Sequence, residues 1–344
     1  MVRCADGEAS RREGVDDVPQ IKETILAPPL EGGEWLQGAP VNLQDARDHH
    51  VLLIDFWDYT CVNCIRTLPY VAEWHRRYAK DGLIVVGVHA PEFSFARDRS
   101  NVVAALKEHG LDYSIVLDNA YAIWQAYSNR SWPAKYLIDA EGRLRYYHFG
   151  EGLYAETETQ IQKLLLELNP SLELNAPMAP LRETDRPGAV CYRVTPELYL
   201  GYARGQFGNP AGIVQEKPSD YSDRGHHAEG LAYLVGRWTV GSEAAKAEGE
   251  GAAMILRYTA MDVNLVMTPP ASAPPARVEV MLGEGQRPGA DAKLENGRFL
   301  VTVDRPRMYN LIANESVTPG SLRLIARDPG WSAFAFTFLS CVVP

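Results

Sequence analysis

The strongest constraint on how this chain can fold is an alternation that begins at Val51. An apolar run, Val51 to Trp57, is followed by a stretch with helical spacing, Cys64 to Lys80, and then by a second apolar run, Leu83 to Val88. Short apolar runs read as buried strands, and two of them joined through a helix make a β-α-β unit. The helical stretch carries Ile65, Leu68, Val71, Ala72 and Tyr78, mostly three and four apart. It closes with His75, Arg76, Arg77 and Lys80 before Asp81-Gly82, a basic end that suits the helix dipole and a glycine that suits a stop. The alternation continues: Asp98-Arg99-Ser100 caps a helix that Gly110 ends, and Ser114 to Leu117 returns as a strand. A short aromatic helix around Ala120 to Tyr127 follows. Ala134 to Ile138 and Leu144 to Phe149 then flank the turn Asp139 to Arg143, and residues 155–168 form a closing helix.

A length of 344 residues, 46% of them hydrophobic, is long for one core and implies two domains. Residues 1–25 open with a charged stretch low in aromatics, expected to be flexible and outside the fold. The α/β domain then covers 26–168. Pro170, Pro177, Pro180 and Pro187 mark 169–187 as a linker. Over 188–344, short alternating runs such as Met254 to Arg257, Val278 to Leu282, Phe299 to Val303, Leu322 to Ile325 and Ala333 to Phe338 predict an all-β, jelly-roll-like sandwich. Thr268 to Pro275 reads as a stiff loop between strands.

A formal net charge of -10 disfavours attraction to nucleic acid or anionic membranes. The strongest apolar run, Val51 to Ile54, stops at Asp55, far short of the roughly 20 residues of a spanning helix, so no membrane insertion by this chain is expected. Residues 1–14 contain no apolar segment of the kind a secretory signal needs. Two locations stay open: the cytoplasm, or an extracytoplasmic side reached through a signal or anchor outside this sequence.

Five cysteines, at 4, 61, 64, 191 and 341, are too few for a disulfide scaffold. Cys61 and Cys64 lie where a buried strand hands over to a helix, at the carboxyl end of a strand, where ligand sites form in open α/β sheets. A structural zinc needs about four ligands, and Cys191, Cys341 and the adjacent pairs His49-His50 and His226-His227 do not supply a second spaced pair, so no metal is expected. Redox chemistry uses the spacing directly. A cysteine at the start of a helix meets free backbone N–H groups and the positive dipole end, which favours its thiolate. Cys61 is then the nucleophile. Cys64, about one turn on and more shielded, resolves the mixed disulfide, and the only redox group required is the Cys61-Cys64 disulfide itself. Asp55, inside an apolar run, is costly unless hydrogen-bonded or functional, and a pKa raised by burial would suit it to deprotonate Cys64.

The stretch Ile54-Asp55-Phe56-Trp57-Asp58-Tyr59-Thr60-Cys61-Val62-Asn63-Cys64 resembles the active site of thioredoxin-fold proteins. Asp55 falls six residues before the first cysteine, where that family carries a buried carboxylate serving the resolving thiol. Pro69 falls five after the second, at the family's helix proline. Trp132-Pro133, before the strand Ala134 to Ile138, matches the cis-proline that faces the disulfide. The segment between the second strand and Ser114 is similar to the insertion of TlpA-like proteins. Thr195 to Arg204, "TPELYLGYAR", resembles the second domain of DipZ-type proteins, in which a TlpA-like domain precedes a sandwich resembling carbohydrate-binding modules. The resemblance implies a thiol-disulfide oxidoreductase acting on protein thiols and disulfides, working outside the cytoplasm, with a membrane electron donor of the CcdA or DsbD type and glycan as a ligand class for the second domain. It implies cis geometry at Pro133; Trp132 and Thr60 are placed to line a client groove, a cover over the hydrophobic edge being the other reading of Trp132. Thr60 and Val62-Asn63 depart from the tryptophan and Gly-Pro usual in thioredoxin, at positions that tune redox direction.

Two rival functions remain at this stage. A thiol peroxidase would carry Pro-x-x-x-Thr-x-x-Cys, whereas counting back from Cys61 puts Asp58 and Ile54 at the threonine and proline positions. A glycan-binding or partner-binding protein with a redox-inert first domain is opposed by the intact Cys pair with Asp55 and Trp132-Pro133. His89, Glu92 and Arg66 read as solvated, and Tyr199, Tyr202, Trp238, Tyr258, Tyr309 and Trp331 read mostly as core. Cys191 and Cys341 are placed to meet on neighbouring terminal strands, bridged or free, with Cys4 unpaired either way.

Overall fold

The computed structural model describes residues 25–342. The N-terminal segment expected to be flexible, and Cys4 with it, lies outside the described residues apart from Ile25. The chain divides into two compact units between Asp185 and Arg186.

In the first unit the elements run β1 (Glu34–Gln37), α1 (Leu43–Ala46), β2 (Val51–Trp57), α2 (Val62–Tyr78), β3 (Leu83–His89), α3 (Arg99–His109), β4 (Ser114–Leu117), α4 (Ala122–Ala126), β5 (Ala134–Ile138), β6 (Leu144–Phe149) and α5 (Tyr154–Leu168). One six-stranded sheet has the order β1-β4-β3-β2-β5-β6. β2, β3 and β4 run parallel, and β1, β5 and β6 pair antiparallel. The four-residue strand β1 has no apolar run to announce it and was not anticipated.

Every residue of β2 is buried, as a central strand covered on both faces requires. Alternation then decides which core each side chain enters. Val51, Leu53 and Trp57 pack with Cys64, Leu68, Val71 and Trp74 of α2, while Leu52, Ile54 and Phe56 pack with α1 and α4 residues on the other face. Asp55 shares the parity of Leu53 and Trp57 and so points beneath α2. Asp98 caps α3 by accepting from Ser100 N, and Gly110 ends it at φ 63. Opposite Asp55 in the parallel ladder stands Gly87.

Within the stretch 169–187 read as a linker, residues 175–185 make hydrogen bonds to α2 and α5. Gln162 donates to the Asn175 carbonyl and Arg77 to that of Ala176, Met178 N donates to Glu158, and Leu181 N donates to the Tyr70 hydroxyl. Tyr70 in turn donates to Asp185 at 2.7 Å. Proline here reports an extended chain with few donors of its own, whose polar groups the helix side chains satisfy; it does not report detachment.

The second unit is all-β. Among the described residues nine strands follow one sheet path and a tenth pairs beside it, around a core that holds Trp238, Tyr258, Tyr309 and Trp331. The expected short strands at Met254 to Arg257 and Leu322 to Ile325 are parts of two long ones, Ala253–Thr268 and Arg307–Ala326. The first changes partner along its length: its start pairs with Ala232–Val235, and its end with Ser332–Leu339. A register shift between Ala260 and Asp262 marks the change. Asp262, Asn264, Asn310 and Pro319 interrupt the apolar alternation while the ladder passes through them, which is why the pattern suggested separate strands. Cys191 is disulfide-bonded, and its cross-strand neighbour in the terminal two-stranded ladder is Cys341.

Gly87 gives a direct test of this packing. A Cβ there would lie 2.6 Å from Ile115 Cδ1 and 3.0 Å from Trp57 Nε1, both buried against the sheet. Gly87→Ala is expected to destabilise the protein by about 1–3 kcal/mol, read as a lower urea midpoint at unchanged slope. An unchanged midpoint would show that the space over Gly87 is not filled.

Candidate active site

Cys61 is the N-cap of α2, with φ -84 and ψ 115, and its sulfur accepts a hydrogen bond from Cys64 N at 3.2 Å. That places a helix-start donor on the sulfur of half-buried Cys61. Cys64 is fully buried, and both thiols are free. Burial first, then the hydrogen bond and charge of Cys61, hold the Cys64 thiol well above its ordinary range. The two cysteines therefore sit in unlike environments, one reachable and one that ionises only with help.

Asp55 lies close enough for its charge to add to that rise in the Cys64 pKa. It is fully buried, and neither carboxylate oxygen has a hydrogen-bond partner. Desolvation raises its pKa to about 7, against an opposing pull from the charge of Lys135. Lys135 was not anticipated. It is Asp55's antiparallel neighbour across β2 and β5, also fully buried, and its Nζ donates to the Gly150 carbonyl at 3.3 Å. Burial pulls its pKa down, while Asp55, Cys64 and Glu151 push it back up. The one signal in the sequence was a lysine inside the apolar run Ala134 to Ile138.

The Trp132-Pro133 peptide is cis. The register Phe56 opposite Ala134 puts Pro133 at the same end of the sheet as the loop leading to Cys61. Trp132 is half-buried, donates from Nε1 to the Ala90 carbonyl at 2.9 Å, and packs on Trp124 with ring centroids 4.4 Å apart. Thr60, expected in the client groove, turns inward instead. It is 1% exposed, and its N–H and hydroxyl both donate to Asp58 Oδ1, at 2.7 and 2.8 Å. Asp58, also unforeseen, takes the Glu92 N–H on its other oxygen at 2.5 Å, so this buried carboxylate ties the loop before Cys61 to the end of β3.

His89 and Arg66 depart from the solvated roles expected of them. His89 is fully buried between Trp57 and Tyr59, and burial lowers its pKa to about 3, so it stays neutral. Arg66 pairs with Glu151 at 2.8 Å with its side chain 14% exposed.

Asp55 binds its proton more tightly in the folded chain than in the unfolded one, so it costs stability as pH rises from about 4 to about 7. Asp55→Asn removes that cost. Urea unfolding at pH 5 and pH 8 is expected to show the variant gaining on the wild type with rising pH, by about 2.5 kcal/mol, at about 1.4 kcal/mol per unit over the roughly two units below the midpoint. A difference independent of pH would mean that the carboxylate is solvated.

Residues 19–165 match the family model described as Redoxin, and residues 195–338 match that described as Thioredoxin like C-terminal domain. Protein DipZ of Mycobacterium bovis, like that of Mycobacterium tuberculosis, is 35% identical over 303 residues, which is 83% of this chain and 42% of DipZ. The chain thus spans about two fifths of the length of DipZ. Thiol-disulfide oxidoreductase YkuV of Bacillus subtilis is 30% identical over 141 residues, 41% of this chain and 94% of YkuV.

Proposed function

This chain belongs to the thioredoxin-fold thiol-disulfide oxidoreductase family, and we propose that it exchanges disulfides with protein clients through Cys61 and Cys64, with Asp55 as the proton acceptor. The observation that carries this reading is the unpartnered, buried carboxylate of Asp55, close enough to the buried Cys64 thiol for its charge to help raise that thiol's pKa. The Cys61 thiolate attacks one sulfur of a client disulfide, forming a mixed disulfide and releasing the client's other sulfur as thiolate, which takes a proton. Cys64 then passes its proton to Asp55 and attacks the Cys61 sulfur. The Cys61–client bond breaks, the second client sulfur leaves as thiolate and is protonated, and two electrons have moved to the client. The reverse sequence oxidises a dithiol.

Lys135 lies across from Asp55 and interacts electrostatically with Cys64, so its charged form would give the Cys64 thiolate formed by proton transfer a counter-charge inside the fold. Pro133 and Trp132 bound the client side at the same sheet end as Cys61. Regeneration requires an outside dithiol, and the resemblance to DipZ-type proteins supports a membrane electron donor and an extracytoplasmic place of work. The second unit is the part we assign to holding a glycan or protein partner.

Cys61→Ser is expected to abolish exchange with a disulfide substrate, and Cys64→Ser to accumulate the mixed disulfide. Because Asp55 accepts a proton only when ionised, the resolving step of the wild type should accelerate as pH rises through about 7 and level off above it. Asp55→Asn should lose that inflection and slow resolution at neutral pH on the order of 100-fold. Full exchange by Cys61→Ser, in a stopped-flow assay with a disulfide peptide, would end the reading.

A further inference from the structure

Arg66 lies two residues after Cys64, and it is where the strap of residues 169–185 meets the site. Its Nε donates to Glu151 Oε2 at 2.8 Å, its Nη2 reaches the Thr184 hydroxyl at 3.4 Å, and its carbonyl accepts from Arg182 Nη1 at 2.7 Å. Arg182 is fixed from several sides. It pairs with Asp185 at 2.9 Å, donates to the Tyr154 hydroxyl at 3.3 Å, and lies over the rings of Tyr70 and Tyr154, which stack 3.6 Å apart.

Glu151 belongs to the loop joining β6 to α5, in which Gly150, Gly152 and Leu153 take φ values of 86, 90 and 48. A leucine in the left-handed region persists only where its surroundings hold it. This loop touches the site twice: Gly150 N donates to the Pro133 carbonyl at 2.8 Å, and the Gly150 carbonyl accepts from Lys135 at 3.3 Å. Pro69 adds a reason for outside support, since it cannot donate to the Ile65 carbonyl and so weakens the turn of α2 that carries Arg66.

We propose that Arg182 is a positioning residue for disulfide exchange. It holds Arg66 against Glu151, so that the loop of residues 150–153 keeps Pro133 and Lys135 in place beside Asp55 and Cys64. The inference rests on the exchange reading of Cys61 and Cys64. It separates the two chemical steps for a small disulfide that does not fill the client side bounded by Pro133 and Trp132: its capture needs only Cys61 at the helix start, while resolution needs the Lys135, Asp55 and Cys64 arrangement. Loss of the strap contact should therefore act on one step alone.

The test uses the reduced full chain and glutathione disulfide, with acid quench and mass spectrometry following the Cys61–glutathione adduct. In both Arg182→Ala and Glu151→Gln, adduct formation is expected within about twofold of wild type and resolution about tenfold slower, with Arg182→Lys intermediate. If Arg182→Ala does not fold, Glu151→Gln decides alone. Resolution within about twofold of wild type, or both steps slowed by one common factor, overturns the positioning role. A wild type that forms no adduct at all overturns the exchange reading, and this inference with it.

Discussion

The arrangement of the first unit depends on one costly placement, the carboxylate of Asp55 buried without a hydrogen bond in the centre of a sheet. Burying a charge in apolar surroundings is unfavourable by several kcal/mol unless the group is neutralised or opposed. Both remedies are present here. Desolvation moves Asp55 toward its protonated form near neutrality, and Lys135 across the β2–β5 ladder opposes the charge when it appears. The apolar residues on either side of Asp55 in β2, the helix α2 above it and the missing side chain at Gly87 together keep water from dissolving the effect. An exposed aspartate would be ionised at neutral pH with little affinity for the proton of a thiol, and a buried one without Lys135 would ionise only at higher pH. In the proposed exchange, the pair would supply a proton acceptor with its midpoint near neutrality.

The same placement explains the division of labour between the cysteines. Cys61 stands at the helix start with a backbone donor on its sulfur, whereas Cys64 looks inward to the same buried region as Asp55 and Lys135. In the proposed exchange the two steps are sequential because the two sulfurs meet different surroundings one helical turn apart. Asp58 contributes by another route. Its three hydrogen bonds from Thr60 and Glu92 fix the loop that delivers Cys61.

What the sequence revealed, and what it hid, follows the range of the interactions. The β-α-β alternation, the cap at Asp98, the stop at Gly110 and the cysteine pair are local patterns, legible within a few residues. Asp55 was legible too, since a carboxylate inside an apolar run is conspicuous. Its partner was not: Lys135 faces Asp55 only through the register of two strands 80 positions apart, which no local pattern states. Thr60 was misplaced for the same reason, because whether it faces a client or Asp58 depends on how the loop folds back. The prolines of 169–187 mark a linker by composition alone, and they do not state that the helix side chains of Tyr70, Glu158 and Gln162 hydrogen-bond to Leu181, Met178 and Asn175 within it. In the second unit, polar residues inside continuous ladders hid two long strands, since the register shift at Ala260 and Asp262 carries pairing past the break in the apolar pattern.

The central claim is that Asp55 is a buried carboxyl that takes and gives up a proton near neutrality. Carbon-13 NMR of the aspartate carboxyls in the reduced chain, with Asp55 assigned by its loss in Asp55→Asn, measures this directly. The account predicts an Asp55 midpoint at about 7. A midpoint near 4, the value of a solvated aspartate, would contradict it.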